Sequence, residues 1–175
     1  MSVTQPVKIS VSKNRQSHAE PLFEAARIAL IATISVWMGA AVSGNLIAAP
    51  AKFQAPSLTL PVALDVGRMH FLWIGVFEAF CTLLIAVLLL SFRQKPSLSL
   101  IVALCVFGFQ RLWLLPLLNA RTLLIIAGQP VEDSSLHLLY VASEFLKIGF
   151  LFWAGIREMR SLFRKARPTA VSVQT

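Results

Sequence analysis

Four apolar runs dominate the chain: positions 28–50, 71–92, 98–118 and 136–156 are nearly continuous in hydrophobic residues, and polar residues collect between and outside them. The shortest of the runs is 21 residues and the longest 23. At about 1.5 Å per helical residue, each reaches across a hydrocarbon layer of ~30 Å. The pattern predicts an all-α protein, an integral membrane four-helix bundle occupying 28–156. A polar basic tail and helix lead-in precede it at 1–27, and a basic tail follows at 157–175.

Local signals refine the spans. Glu20 and Pro21 read as a helix start, because proline in a first turn leaves no amide without a partner. The first run carries no formal charge. Its Gly39 and Ser43, like Ala40 and Gly44, stand four apart and let a neighbouring helix come close. Asn45 lies near the outer end of that run, where it is expected to face protein or headgroups. Residues 51–69 read as an outer loop, with a short interfacial helix at 61–66 and a surface pair between Asp65 and Arg68. The 93–97 turn is short enough to force the second and third helices antiparallel. The third helical pattern can persist to 127 and stop at Gly128, a candidate C-terminal cap, with Pro116 kinking it on the way. Ser134 and Ser135 are N-cap candidates for the fourth run.

Composition agrees with the pattern and charge gives it a direction. The chain is 57% hydrophobic and only 14% charged, where a soluble domain carries about 25% charged residues. The net charge of +8 does not mark a nucleic-acid binder, because the basic residues sit where topology determinants sit. The two tails and the 93–97 turn hold eleven Lys and Arg: Lys8, Lys13, Arg15, Arg27, Arg93, Lys95, Arg157, Arg160, Arg164, Lys165 and Arg167. The two opposite loops hold three, Lys52, Arg68 and Arg121. Both termini are therefore expected in the cytoplasm. A cleaved signal peptide is disfavoured by the polar first 27 residues. Cys81 and Cys105 fall at different depths inside apolar runs and read as small packing residues rather than a disulfide.

The candidate chemistry lies inside the runs. Glu78, Arg111 and Glu144 come from three helices and share a depth of about 10–12 Å below the outer boundary, with Lys147 one turn deeper. Unpaired, four such charges would cost ~10–14 kcal/mol on an insertion scale, so they are expected to cluster and neutralise one another. Arg111 is expected to grip a carboxylate through two parallel hydrogen bonds, and Glu144 to pair with Lys147 along its own helix. At 100° per residue His137, Tyr140, Glu144 and Lys147 fall in one arc of roughly 80°, a polar stripe that must face the bundle interior. Gln110 adjoins Arg111 and completes the polar set. Such a set serves either as an ion or proton path or as a device fixing helix pairing.

Other residues offer weaker chemistry. His70 and His137 stand at outer helix ends, where interfacial packing is the ordinary role. Axial ligation of a b-type haem between the second and fourth helices is the sharper alternative. Met69 beside His70 hints at copper, without the methionine clustering that copper handling needs. Trp37, Trp73, Trp113 and Trp153 read as packing or interface anchors. No catalytic motif is present, and the expected role is non-enzymatic.

Two stretches carry a family resemblance. Trp113-Leu-Leu-Pro116-Leu-Leu-Asn119-Ala-Arg121-Thr122 resembles the third-helix exit of small bacterial four-span membrane proteins of unknown function. That group is similar to the transmembrane-protein-205 group and, distantly, to copper-resistance protein D. His137-Leu-Leu-Tyr140-Val-Ala-Ser-Glu144-Phe-Leu-Lys147 resembles the start of the same family's last helix. The resemblance implies a four-helix bundle in an inner membrane and carries little mechanism. Three functions are carried forward: a structural or accessory component of a larger membrane complex, a small solute or proton transporter using the charge cluster, and a haem- or copper-binding redox protein.

Overall fold

Apolar runs bounded by proline, glycine and serine fold as four helical rods. The computed structural model describes residues 12–166, with side chains from Glu20 to Arg164. The tail residues Lys8 and Arg167, and the side chains of Lys13, Arg15 and Lys165, lie outside the described residues. The first rod is α1 (Ser12–Ala41), a π-helical segment (Val42–Ala48), α2 (Ala49–Ala51) and a 3-10 turn (Lys52–Gln54). The second is α3 (Leu60–Ser91). The third joins α4 (Leu98–Phe109), a second π-helical segment (Gln110–Leu114) and α5 (Leu115–Ile126). The fourth is α6 (Leu136–Ala166). All four rods are long and apolar enough to cross a membrane, and the described residues contain no strand.

The ends of the rods follow from local chemistry. Thr59 is extended and Pro61 occupies the first turn of α3, a position that loses no hydrogen bond. Nothing between 62 and 69 breaks the helix. The segment 61–66 is thus the first turns of the second rod, not the separate interfacial helix expected in a loop. Helix α1 likewise begins at Ser12, ahead of Glu20 and Pro21, with Pro21 inside it. Ser97 caps α4 by accepting the Leu100 amide at 3.3 Å, and Ser134 accepts the Leu136 amide at 3.1 Å. The third rod closes at Gly128, whose φ of 71° lets Gln129 donate back to the Leu124 carbonyl at 3.0 Å.

Both π-helical segments end two residues before a proline, Pro50 and Pro116. Proline donates no hydrogen bond, and its ring presses on the carbonyl four residues back, here Leu46 and Leu112. A wider turn relieves that pressure without ending the rod. The structure answers Pro116 in this way, and Pro50 likewise.

Helix α6 packs against α1 and α4, α1 against α3, and α3 against α5. The shared core includes Leu30, Ile34, Trp37, Ile85, Leu100 and Leu151, with the Trp37 ring edge-on to Phe107 at 5.5 Å. Gly44 permits the close approach of α3, because a β-carbon there would overlap the Ile74 side chain. Outward positions are large and apolar too, among them Trp73, Leu83, Leu90 and Leu112.

Candidate functional site

Above the apolar core the four rods contribute to one polar network. Helix α6 turns Tyr140, Ser143, Glu144 and Lys147 inward at spacings of three and four, so they share the face that continues into the core as Leu151 and Ala154. Helix α3 turns Glu78 toward them. Glu78, Glu144 and Lys147 expose only 3%, 1% and 0% of their surface.

The Lys147 ammonium holds the centre. It donates to Glu78 Oε1 at 2.5 Å and lies 3.0 and 3.1 Å from the two Glu144 oxygens. The π-electrons of Phe107 face it from below, 5.8 Å to the ring centroid. Glu144 is saturated: Asn45 Nδ2 donates to Oε1 at 2.9 Å and Gln110 Nε2 donates to Oε2 at 3.1 Å. Glu78 is served on one oxygen only, where Trp37 Nε1 joins Lys147 by donating at 3.0 Å. Gln110 also donates to Ser143 Oγ at 2.9 Å, and that hydroxyl donates to the Tyr140 carbonyl at 2.8 Å. Every rod therefore sends at least one side chain into the network, through Trp37 and Asn45, Glu78, Gln110, and the α6 triplet.

The expected clustering holds for Glu78, Glu144, Lys147, Gln110 and the neighbouring Tyr140, and fails for Arg111. Its guanidinium donates to the Phe71 carbonyl at 3.0 Å and rests in the space a β-carbon would occupy at Gly75. It forms no ion pair among the described residues. The reason is positional. Arg111 directly follows Gln110 in the π-helical segment, so the two side chains leave the rod in different directions, and turning Gln110 toward Glu144 swings Arg111 aside onto α3. Charge neutrality by two carboxylates and two cations is thereby lost. The sealed set holds two carboxylates and one ammonium.

Sequence reasoning missed the contribution of the first rod. Trp37 packs and Asn45 faces protein, as expected, but both in addition donate to buried carboxylates. The available signal was their polarity within an uncharged span, since a buried indole N–H or amide seeks an acceptor. The structure adds a device no α-helical phase reveals. Asn45 and Gln110, the two amides on Glu144, each lie in a π-helical segment, a feature often found at functional sites.

The outer end of the bundle is separate chemistry. The His70 ring donates from Nε2 to the Gly44 carbonyl at 3.0 Å and stands edge-on to Phe71. His137 is exposed at the start of α6, and no hydrogen bond or ring contact joins it to His70. Among the described residues, no three His, Cys, Asp or Glu side chains converge as metal ligands. Lys52 sits over the rings of Phe53 and Phe71 at 5.0 and 5.3 Å. Asp65 and Arg68 pair at 2.9 Å, and Arg68 also donates to Asn119 at 2.6 Å. Arg121 donates to the Glu132 carbonyl. Both cysteines are free, Cys81 buried and Cys105 exposed. No family model, curated protein or solved structure matches the chain.

Proposed function

We propose that this chain is a multi-pass protein of the cell inner membrane, with both tails cytoplasmic, acting as a non-enzymatic structural or accessory component of a membrane complex. One observation carries the reading: the only triad of buried charges described is enclosed and drawn tight by hydrogen bonds from all four rods. Such a set specifies which helices pair and in what register. The open grooves at Trp153–Arg164 and Pro61–Ile126 lie at the ends of the bundle, away from it. Large apolar residues cover the outward faces, as lipid and partner helices require. The resemblance of Trp113–Thr122 and His137–Lys147 to small four-span proteins implies the bundle and its inner-membrane placement and carries no role.

The test is mild-detergent extraction from the native membrane followed by native electrophoresis, with and without deletion of the gene. Stoichiometric co-migration with one membrane complex, and loss of that complex's assembly on deletion, are the expected outcomes. A chain that runs alone, and whose deletion leaves every complex intact, overturns the reading. Orientation is checked by cysteine labelling at each terminus. An impermeant reagent applied from outside leaves both unlabelled.

A second reading rests on the charge count. Two carboxylates around one ammonium carry one negative charge in excess, which a bound proton cancels. Glu144 has donors on both oxygens, whereas Glu78 has them on one, which leaves Glu78 Oε2 as the oxygen free to take up a proton on this reading. A protein built to move protons through this site would lose proton flux in vesicles on Glu78→Gln while retaining its fold. Unchanged flux removes this reading.

A further inference from the structure

The cytoplasmic end of α6 carries a second polar feature, on the opposite side of the helix from the network. Trp153, Ile156, Arg157, Arg160 and Arg164 line one open groove of about 460 Å³. At 100° per residue these five positions occupy an arc of about 100°, centred away from Tyr140, Glu144, Lys147 and Leu151. The groove therefore faces out of the bundle. Arg157, Arg160 and Arg164 are exposed and make no ion pair or hydrogen bond among the described residues.

The one carboxylate within reach along the helix is kept from them. Glu158 points to the inner side, where the nearly buried Arg27 donates to its side chain at 3.1 Å and to its carbonyl at 3.2 Å. Three cations are thus left uncompensated on a lipid-side face, immediately beyond a half-exposed tryptophan. Depth completes the argument. The apolar part of α6 ends at Ile156, about 30 Å from Leu136 and so at the far edge of the hydrocarbon layer. The arginines occupy the next ~10 Å, the level of lipid phosphates, while Trp153 sits among the adjoining acyl carbons.

We propose that this groove binds the phosphate headgroup of an anionic phospholipid from the cytoplasmic leaflet, with its acyl chain against Trp153. The proposal rests on the membrane reading above. Guanidinium forks match phosphate oxygens in geometry and charge, and a basic pocket beside a membrane helix is a recognised way to select acidic lipid. Spacing by one helical turn lets two arginines share one phosphate.

The test uses the full chain with Trp73→Phe and Trp113→Phe, reconstituted in phosphatidylcholine vesicles. Trp37 is fully buried, so lipid-borne quencher reports on Trp153. Brominated phosphatidylglycerol is titrated against brominated phosphatidylcholine at equal mole fractions. The expected relative affinity favours the anionic lipid about fivefold, the worth of one basic residue's attraction to a headgroup of net negative charge, since both lipids offer the phosphate itself. Arg157→Gln, Arg160→Gln and Arg164→Gln together bring the ratio to one. Arg93→Gln with Lys95→Gln, which removes charge from the same side, leaves it unchanged. Free inorganic phosphate does not restore the Trp153 signal.

Equal quenching by both lipids, or a preference that survives the triple substitution, overturns the proposal and leaves the membrane reading standing. Trp153 shielded from both lipids while Trp73 and Trp113 of the native chain are quenched means a protein covers the face, which also overturns it. If no tryptophan of the native chain is quenched by either lipid, the membrane reading itself fails.

Discussion

Replacing Lys147 by methionine removes the ammonium that touches both Glu78 and Glu144 while keeping most of its volume. Two carboxylates, each at most 3% exposed, then share a site without a cation between them. Breaking a buried pair from one side costs about 3–5 kcal/mol. The lower end applies here, because Trp37, Asn45 and Gln110 still donate to the stranded oxygens. A loss of ~3 kcal/mol lowers the folded-to-unfolded ratio roughly 150-fold. Glu78→Gln is the informative contrast. It leaves one carboxylate with one ammonium, keeps an oxygen for Trp37 and Lys147, and is expected to cost less than about 1 kcal/mol. Substituting all three by neutral residues (Glu78→Gln, Glu144→Gln, Lys147→Met) should recover at least half of the single-mutant loss, since no charge is then left unpaired. The assay is unfolding of purified protein in mixed micelles by titrated sodium dodecyl sulfate, followed by far-ultraviolet circular dichroism. A Lys147→Met protein within about 1 kcal/mol of the native chain, or a Glu78→Gln protein as unstable as Lys147→Met, would refute the assignment of Lys147 as the hub.

Two further outcomes are expected. Gly75→Ala places a methyl where the Arg111 guanidinium lies, so the arginine must leave the Phe71 carbonyl at a cost of about 1 kcal/mol. In an Arg111→Ala background the same substitution should be silent, and a double-mutant cycle measures that coupling. Asn45→Ala and Gln110→Ala each remove a donor from a buried carboxylate and should each lower stability by about 1.5–3 kcal/mol in the same unfolding assay. Losses below about 0.5 kcal/mol for both would mean that the π-helical segments do not serve Glu144.

The expected accessory role and the buried network bear on each other through rigidity. A four-rod bundle in lipid gains little from apolar burial, because lipid tails are as apolar as leucine. Close packing at Gly44 and the charge-assisted bonds at Lys147 supply the specificity that apolar contact alone does not. Helices held in one register present constant outward faces, which is what a partner complex needs to dock against. A lipid held at the arginine face of α6, as proposed, would tie this register to the leaflet.

Much of the architecture is written one-dimensionally. Four runs of 21 residues or more, closed by Pro61, Ser97, Gly128 and Ser134, specify four rods whatever their mutual arrangement, because a chain segment in or out of lipid needs only length and hydropathy. Glu144 and Lys147 could also be joined on paper, since they lie three apart on one helix. What the chain alone could not reveal was who meets whom across helices. Apart from the stripe on the fourth run, the spans are apolar nearly all round and have no broad polar face to give their rotation, and two prolines insert wider turns that break the 100° phase just where Asn45 and Gln110 sit. Only the packed bundle decides that Gln110 faces Glu144 and Arg111 is displaced onto Gly75. It also decides that a tryptophan and an asparagine from the first rod stand where a second cation was expected.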